Sequence, residues 1–244
     1  MKNLIVIPAF NEEEALPTTL RALQELPDGY EVLVVNDGSR DKTARLAEQL
    51  ARTNRLPLHV VSLPLNCGIG TAVKTGYLFA ARQGDYAYVI QFDADGQHDA
   101  SYIPRLVDAC EKDHLDLCVG SRFLEPKSGA FQSTFARRIG IRFFCGLISV
   151  LSGVRVTDPT SGFRCAGPRA VACFADYYPD DYPEPESLFW CVRNQFRIGE
   201  IPVRMHERQG GVSSIRWFAT AYYMVKVSLA ILFDRLRRKE MYEQ

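Results

Sequence analysis

Short apolar runs, rich in β-branched residues, alternate along the first half of the chain with stretches whose apolar positions recur every three or four residues. The runs at 4–9, 31–35, 58–63, 86–92 and 115–120 predict strands, and the stretches between them predict helices. The first helix opens at Phe10 and carries Leu16, Leu20 and Leu23 at helical spacing. Glu12, Glu13 and Glu14 are expected in its first turn, where the helix dipole favours acids. Further helices are predicted at 41–52, from 66 to 82, and at 102–112. Strands that alternate with helices imply an α/β chain with a parallel sheet and right-handed crossovers. In such sheets ligands bind beyond the carboxyl ends of the strands. Four successive strand ends here carry polar groups suited to a nucleotide and a metal, at 8–12, 37–39, 66–70 and 93–97.

Beyond Gly120 the pattern changes. A long helix is predicted at 131–153, apolar but carrying Arg137, Arg138 and Arg142. Residues 158–164 read as a polar loop, 177–186 as an acidic, proline-punctuated loop, 187–194 as a helix, 197–206 as a strand and 208–214 as a flexible loop. A final helix is predicted at 215–239. Its stretch 217–233 is apolar apart from Thr220, Lys226 and Ser228. Spanning a bilayer takes about 20 such residues. Basic residues flank the stretch on both sides, Arg216 before it and Arg235, Arg237, Arg238 and Lys239 after, so a single crossing would strand one cluster. The pattern predicts a helix lying in the membrane interface or docked on a small membrane protein.

The most informative stretch is Asp93-Ala94-Asp95-Gly96-Gln97-His98. Carboxylates at i and i+2 share one face as a strand ends, and Gly96 permits the bend that follows. Two adjacent carboxylates repel unless a cation joins them. A hard divalent ion, Mg²⁺ or Mn²⁺, suits oxygen ligands and leaves room for substrate phosphates. Asp93 and Asp95 are therefore the predicted metal ligands, with Gln97 a further one. Read alone, the motif fits an acidic solvated turn equally well; the three other polar strand ends select the metal reading. His98 is expected beside the site and not as a ligand, and His59, His114 and His206 show no ligand spacing with it. The run from Gly68 to Val73 starts like a dinucleotide fingerprint, but it follows the third strand and ends on valine, so it is set aside.

Composition narrows the class. The chain has 244 residues, 47% of them hydrophobic, enough for a sizeable core. Lys+Arg and Asp+Glu number 29 each, so no chain-wide field is available for nucleic acid, and no nucleic-acid partner is expected. The seven cysteines include no Cys-x-x-Cys pair. Several lie inside apolar runs, as buried free thiols in a reducing compartment do. The apolar start of the chain is too short for a signal peptide. A peripheral protein on the cytoplasmic face of the membrane is expected.

These motifs, taken as a set, resemble those of the inverting family 2 glycosyltransferases. The matching pieces are Pro8-Ala9-Phe10-Asn11-Glu12, Asn36-Asp37-Gly38-Ser39, Asn66-x-Gly68-x-Gly70-x-Ala72-x-x-x-Gly76, Asp93-Ala94-Asp95-Gly96-Gln97-His98, Gly120-Ser121-Arg122 and Ser161-Gly162-Phe163-Arg164. Within that family the look is of the dolichyl- and undecaprenyl-phosphate sugar transferases. The resemblance implies a GT-A fold, a Rossmann-like, mostly parallel sheet with flanking helices. It implies a domain over 1–214, with a nucleotide-sugar half to 120 and an acceptor half after it, and a C-terminal amphipathic helix over 215–244. Pro8, Ala9, Asn11, Glu12, Asp37, Gly70, Asp93, Ala94 and Asp95 would bind the nucleotide-sugar, with Arg208 covering the diphosphate. Asp93, Asp95, Arg122 and Asp158 would be catalytic. Arg122, Arg137, Arg138, Ser161 and Arg164 would handle the acceptor phosphate. Many relatives carry Ser-Lys where this chain has Ser213-Ser214, a departure that bears on donor preference.

The implied activity is metal-dependent, inverting transfer of one sugar from a UDP-sugar to a polyprenyl phosphate. A hydroxyl acceptor would need a carboxylate base, for which Asp158, Glu184 and Glu186 are the candidates. A phosphate monoester, with its second pKa near 6, needs none; it needs arginines. The competing readings are a glycan-extending transferase acting on a sugar hydroxyl, a nucleotidyltransferase, and a silent module that recruits a membrane partner.

Overall fold

The computed structural model describes residues 1–124, 135–206 and 217–236. Among them, seven strands form one sheet in the order β3-β2-β1-β4-β6-β5-β7. The strands are β1 (Lys2–Ala9), β2 (Tyr30–Asp37), β3 (Leu58–Leu63), β4 (Tyr86–Gln91), β5 (Leu117–Ser121), β6 (Arg164–Ala166) and β7 (Ile198–Pro202). All pair in parallel except β6, which lies antiparallel between β4 and β5. The central strands read as unbroken apolar runs because helices cover both faces; Leu4 to Ile7 and Val32 to Val35 are fully enclosed.

One face is covered by α1 (Leu16–Leu23), α2 (Thr43–Ala51) and α4 (Ile103–Lys112), which bring Leu16, Leu20, Ala47, Ile103 and Leu106 onto Ile5, Ile7, Val32 and Val34. The other is covered by α3 (Ile69–Gln83), α5 (Phe135–Ser152), α6 (Pro168–Asp176), α7 (Pro183–Arg193) and α8 (Trp217–Leu236). Here Tyr77, Phe144, Phe174, Leu188 and Ile231 meet Leu4, Val6 and Leu33. Gly76 lets α3 rest directly on β1: a Cβ there would lie 2.4 Å from Val6 Cγ1.

The structure departs from the sequence reading at three places. First, α1 starts at Leu16, and Glu12, Glu13 and Glu14 lie in the turn before it. That turn is held open by the neighbouring strand-end loop. The Asn11 N–H donates to Ser39 Oγ (3.0 Å), the Glu12 N–H to Thr43 Oγ1 (2.8 Å), the Glu13 N–H to Asp41 Oδ2 (3.1 Å), and the Lys42 N–H to Glu13 Oε2 (2.9 Å). Second, β6 and α6 occupy residues read only as the end of a loop and a gap. Third, Glu184 and Glu186 are not in a loop but in the first turn of α7, where the dipole favours acids. The side chains described in α8 put apolar residues both in the core and outside it. Val227 and Ile231 are buried in the core, while Val225, Leu229, Leu232 and Phe233 are exposed on the other side. No helix of the described residues is long and apolar enough to cross a membrane.

Candidate active site

The strand order reverses between β1 and β4: β2 and β3 continue from one side, β6, β5 and β7 from the other. A crevice at the carboxyl ends is expected at such a switch point. Pro8 and Ala9 end β1 there, both buried, and Asn11 and Glu12 follow. Asn11 takes a left-handed backbone (φ 54) and its Oδ1 accepts the Arg40 N–H at 2.9 Å, which ties the loops after β1 and β2 together.

Asp37 ends β2. Its carboxylate accepts the backbone N–H groups of Cys67 (2.7 Å) and Gly68 (2.9 Å), which fixes the loop between β3 and α3. Gly70 opens α3 against the segment before α7; its N–H donates to Asp180 O at 3.1 Å, and a Cβ would fall 2.0 Å from Pro179 O. The structure thus explains Gly70 by close backbone approach.

Beyond β4, the Phe92 N–H continues the pairing to Val6 O at 3.0 Å. Ala94 is fixed from α1, its carbonyl accepting Thr19 Oγ1 at 2.8 Å. Asp95 is 7% exposed, and its Oδ1 accepts the Gln97 N–H at 3.0 Å, closing a turn that Gly96 (φ 74) permits. The Gln97 carbonyl accepts the His206 N–H at 2.8 Å, so its backbone is held at both ends. Asp93 is half-buried.

His98 is a positioning residue that the sequence placed only loosely. Its ring stacks on Phe163 (centroids 4.7 Å, 14°) and meets Phe92 edge-on at 5.3 Å. Burial pushes its pKa down to about 4, so it is neutral. Nδ1 accepts the Asp93 N–H at 3.0 Å, which leaves the ring proton on Nε2, 3.5 Å from Asp93 Oδ2. His98 therefore holds Asp93 by backbone and carboxylate together.

Among the described residues, no group of three or more His, Cys, Asp or Glu side chains is preassembled around a metal position. The donors at the end of β4 are two hard carboxylates, Asp93 and Asp95, on a tight turn. That set does not suit a soft metal. It does fit Mg²⁺ or Mn²⁺, which take one or two carboxylates and complete their shell with water and substrate phosphates.

On the other side of the crevice, Arg122 and Asp158 form a bidentate pair. Nε lies 2.6 Å from Oδ2 and Nη2 2.7 Å from Oδ1, with side chains 4% and 0% exposed. The Arg122 N–H also donates to Asp158 Oδ2 (3.1 Å), and Nη2 to Thr160 Oγ1 (2.9 Å). Glu200 anchors the loop by accepting the N–H groups of Thr157 (2.8 Å) and Asp158 (3.0 Å).

Three roles implied by the resemblance meet a different arrangement. Asp158 is enclosed and bound to Arg122, which is not the position of a base awaiting a hydroxyl. Ser161 donates to Gly120 O at 2.7 Å. Arg164 is 1% exposed; it donates to Ser161 O (2.7 Å), Pro159 O (3.1 Å), Glu184 O (2.8 Å) and Ser187 Oγ (2.9 Å). As placed, Ser161 and Arg164 hold the loop together. Arg137 and Arg138 fall in α5, with side chains outside the described residues; Arg208 also lies outside them. Arg142 is exposed on α5.

Residues 4–164 match the family model described as glycosyl transferase family 2. The chain is 32% identical over 242 residues to the polyprenol monophosphomannose synthase of Mycolicibacterium smegmatis, covering 97% of this chain and 89% of that one. It is 28% identical to the UDP-N-acetylglucosamine–dolichyl-phosphate N-acetylglucosaminyltransferase of Methanococcus voltae, over 82% of this chain and 84% of the relative. Among solved structures it is similar to a mannosyltransferase from Pyrobaculum calidifontis in complex with GDP-mannose and Mn²⁺. The TM-score is 0.68 at 16% identity, over 98% of this chain and 65% of that one.

Proposed function

The chain belongs to glycosyl transferase family 2, and from that premise we propose that it moves one sugar from a nucleotide-sugar to a polyprenyl phosphate at the cytoplasmic face of a membrane. The fold is GT-A. The observation that carries the reading is that the Asp93–Asp95 turn and the linked loops after β1 and β2 follow three adjacent strands at the sheet's switch point. Support for the acceptor comes from relatives named for transfer to polyprenol and dolichyl phosphate along most of this chain's length.

In the proposed reaction an oxygen of the acceptor phosphate attacks the anomeric carbon, the bond to the nucleoside diphosphate breaks, and the configuration inverts. Asp93 and Asp95 would hold Mg²⁺ or Mn²⁺, whose charge stabilises the departing diphosphate. His98 keeps Asp93 aimed. Asn11, Glu12 and Asp37 frame the nucleotide. Arg122 is held on the acceptor side, and Arg142, with Arg137 and Arg138, supplies positive charge for the incoming phosphate. No base is required of Asp158, in keeping with its engagement by Arg122. The nucleotide-sugar half is assigned to 1–120, the acceptor half to 121–214, and the membrane-associated helix to the residues after them.

We carry the donor reading to a UDP-sugar, on the likeness to the N-acetylglucosaminyl relative. The test is a screen of UDP- and GDP-sugars against undecaprenyl phosphate with Mg²⁺ or Mn²⁺, reading lipid-linked product. Product from a UDP-sugar is expected. Product only from GDP-sugars rejects the donor, and no lipid-linked product from any donor rejects the acceptor. A hydroxyl acceptor is the second reading, and Glu184 is the observation that favours it. Burial raises the pKa of its carboxyl, opposed by the charge of Arg164 and reinforced by that of Asp93. Glycan extended in the same screen would select it.

The membrane reading is supported by α5 and α8 lying against each other and exposing Phe143, Val150, Val225, Leu229, Leu232 and Phe233. Removing everything after Ser214 would also strip Val227 and Ile231 from the core. The sharper test is the combined substitution Leu229→Gln, Leu232→Gln and Phe233→Gln, which leaves those two in place. Wild type should float with anionic liposomes, and the variant should remain largely in the dense fraction. Equal flotation of both would remove α8 as the anchor.

A further inference from the structure

Gln91 is the last residue of β4 and is 1% exposed, yet neither Oε1 nor Nε2 of its amide makes a hydrogen bond of ordinary geometry; what approaches it is the Glu184 carboxyl. Buried amides are almost always paired, because leaving one unpaired destabilises the fold. Beyond the approach of Glu184 the amide keeps the capacity to pair with a group from outside the chain.

Its surroundings indicate what that group is. A Cβ added at Gly162 would lie 3.0 Å from Gln91 Nε2 and 3.2 Å from Asp93 Oδ2, so the amide and the carboxylate meet over the same bare stretch of backbone. Glu184 closes a further side. Its carboxyl is influenced both by the Gln91 amide and by the charge of Asp93. It is fixed from behind, because its backbone carbonyl accepts Arg164 Nη2 (2.8 Å) and Ser187 Oγ (3.2 Å). Neither the Gln91 amide nor the Glu184 carboxyl offers a positive charge to a phosphate. An amide that both donates and accepts, flanked by acceptors, complements hydroxyl groups, each of which also donates and accepts.

We propose that Gln91, backed by Glu184, reads hydroxyl groups of the donor sugar beside Asp93 and so determines which sugar epimer is used. The inference rests on the nucleotide-sugar reading of this site. Polar groups placed to pair with substrate hydroxyls discriminate strongly, since the wrong epimer leaves them unpaired.

The test uses the full chain with Mn²⁺ and calorimetric titration. The ligands are the nucleoside diphosphates alone and two pairs differing at one hydroxyl, UDP-glucose with UDP-galactose and GDP-mannose with GDP-glucose. The variant is Gln91→Leu, which fills the same space without polar atoms and should melt at or above the wild-type temperature. Gln91→Met repeats the test if the leucine variant does not fold. The expected result is unchanged affinity for the nucleoside diphosphate, roughly tenfold weaker binding of the preferred nucleotide-sugar, and loss of most of the epimer preference. Full retention of that preference overturns the inference and leaves the amide to a fixed water. A parallel fall in nucleoside diphosphate affinity and melting temperature also overturns it, by making Gln91 part of the framework. A wild-type chain that binds nucleoside diphosphate but no nucleotide-sugar overturns the transferase reading itself, an outcome distinct from the other two.

Discussion

Asp95→Asn is expected to lower turnover by about 10³-fold while leaving the melting curve within a degree or two of wild type. The separation of the two effects follows from the local geometry. Asp95 accepts the Gln97 N–H through Oδ1, and asparagine keeps an acceptor at that atom, so the turn survives. What it removes is one of two negative charges at the position where a divalent cation would neutralise the leaving diphosphate. That neutralisation is worth several kcal/mol of transition-state stabilisation, and each ~1.4 kcal/mol is a factor of ten in rate. Rates should be measured at saturating nucleotide-sugar and over a wide range of Mn²⁺, so that weaker metal binding is separated from slower chemistry. Turnover within tenfold of wild type at saturating metal would remove Asp95 from the metal site.

The second large effect is on stability. Asp158→Asn should cost about 3–5 kcal/mol, the usual penalty for breaking a buried pair by removing one partner. For a chain of this size, each kcal/mol shifts the melting temperature by roughly 2–4 °C, so a fall of about 10 °C is expected. The cause is the Arg122 guanidinium, 4% exposed and held by two short hydrogen bonds to one carboxylate. Without that charge opposite, the buried guanidinium loses its bidentate carboxylate, and the loop from Thr157 to Ser161 loses one of the ties that set it against β5. Activity should fall as well, because Arg122 would no longer be held on the acceptor side. An Asp158→Asn protein that melts with the wild type would show that Arg122 finds another partner, and that the pair does not organise this wall.

The strand-end loops were legible in the sequence because each follows a β-branched run long enough to be a buried strand and closes on residues that stop strands, such as Asp37-Gly38 and Asp95-Gly96. Periodicity therefore located the four strand ends where polar groups gather. It could not say which polar residues face inward. Asp158, Ser161 and Arg164 read as chemistry because of their types, yet the structure encloses them and satisfies them with one another or with backbone. Burial of that kind depends on which distant segment arrives opposite. Residues 164–166 show the same limit: three residues that begin with arginine carry no alternation, and their strand character comes from slotting between β4 and β5. For α6 a signal was present, Gly167-Pro168 followed by Val171 and Phe174 at helical spacing. Gln91 also had one, an amide at the end of the otherwise apolar run that leads to Asp93.

The antiparallel β6 has a consequence for how the protein is made. The four parallel strands β1 to β4 draw only on the first part of the chain, so they can assemble soon after it leaves the ribosome. The strand that covers the open side of β4 arrives roughly seventy residues after β4 ends. At ribosomal speeds of 5–20 residues per second, that edge stays bare for roughly 4–15 s. During that interval, Val89 and Ile90 present unpaired backbone groups, a ready template for another nascent chain. Codon choice across residues 92–163, or a chaperone acting in that window, should therefore change the yield of soluble protein.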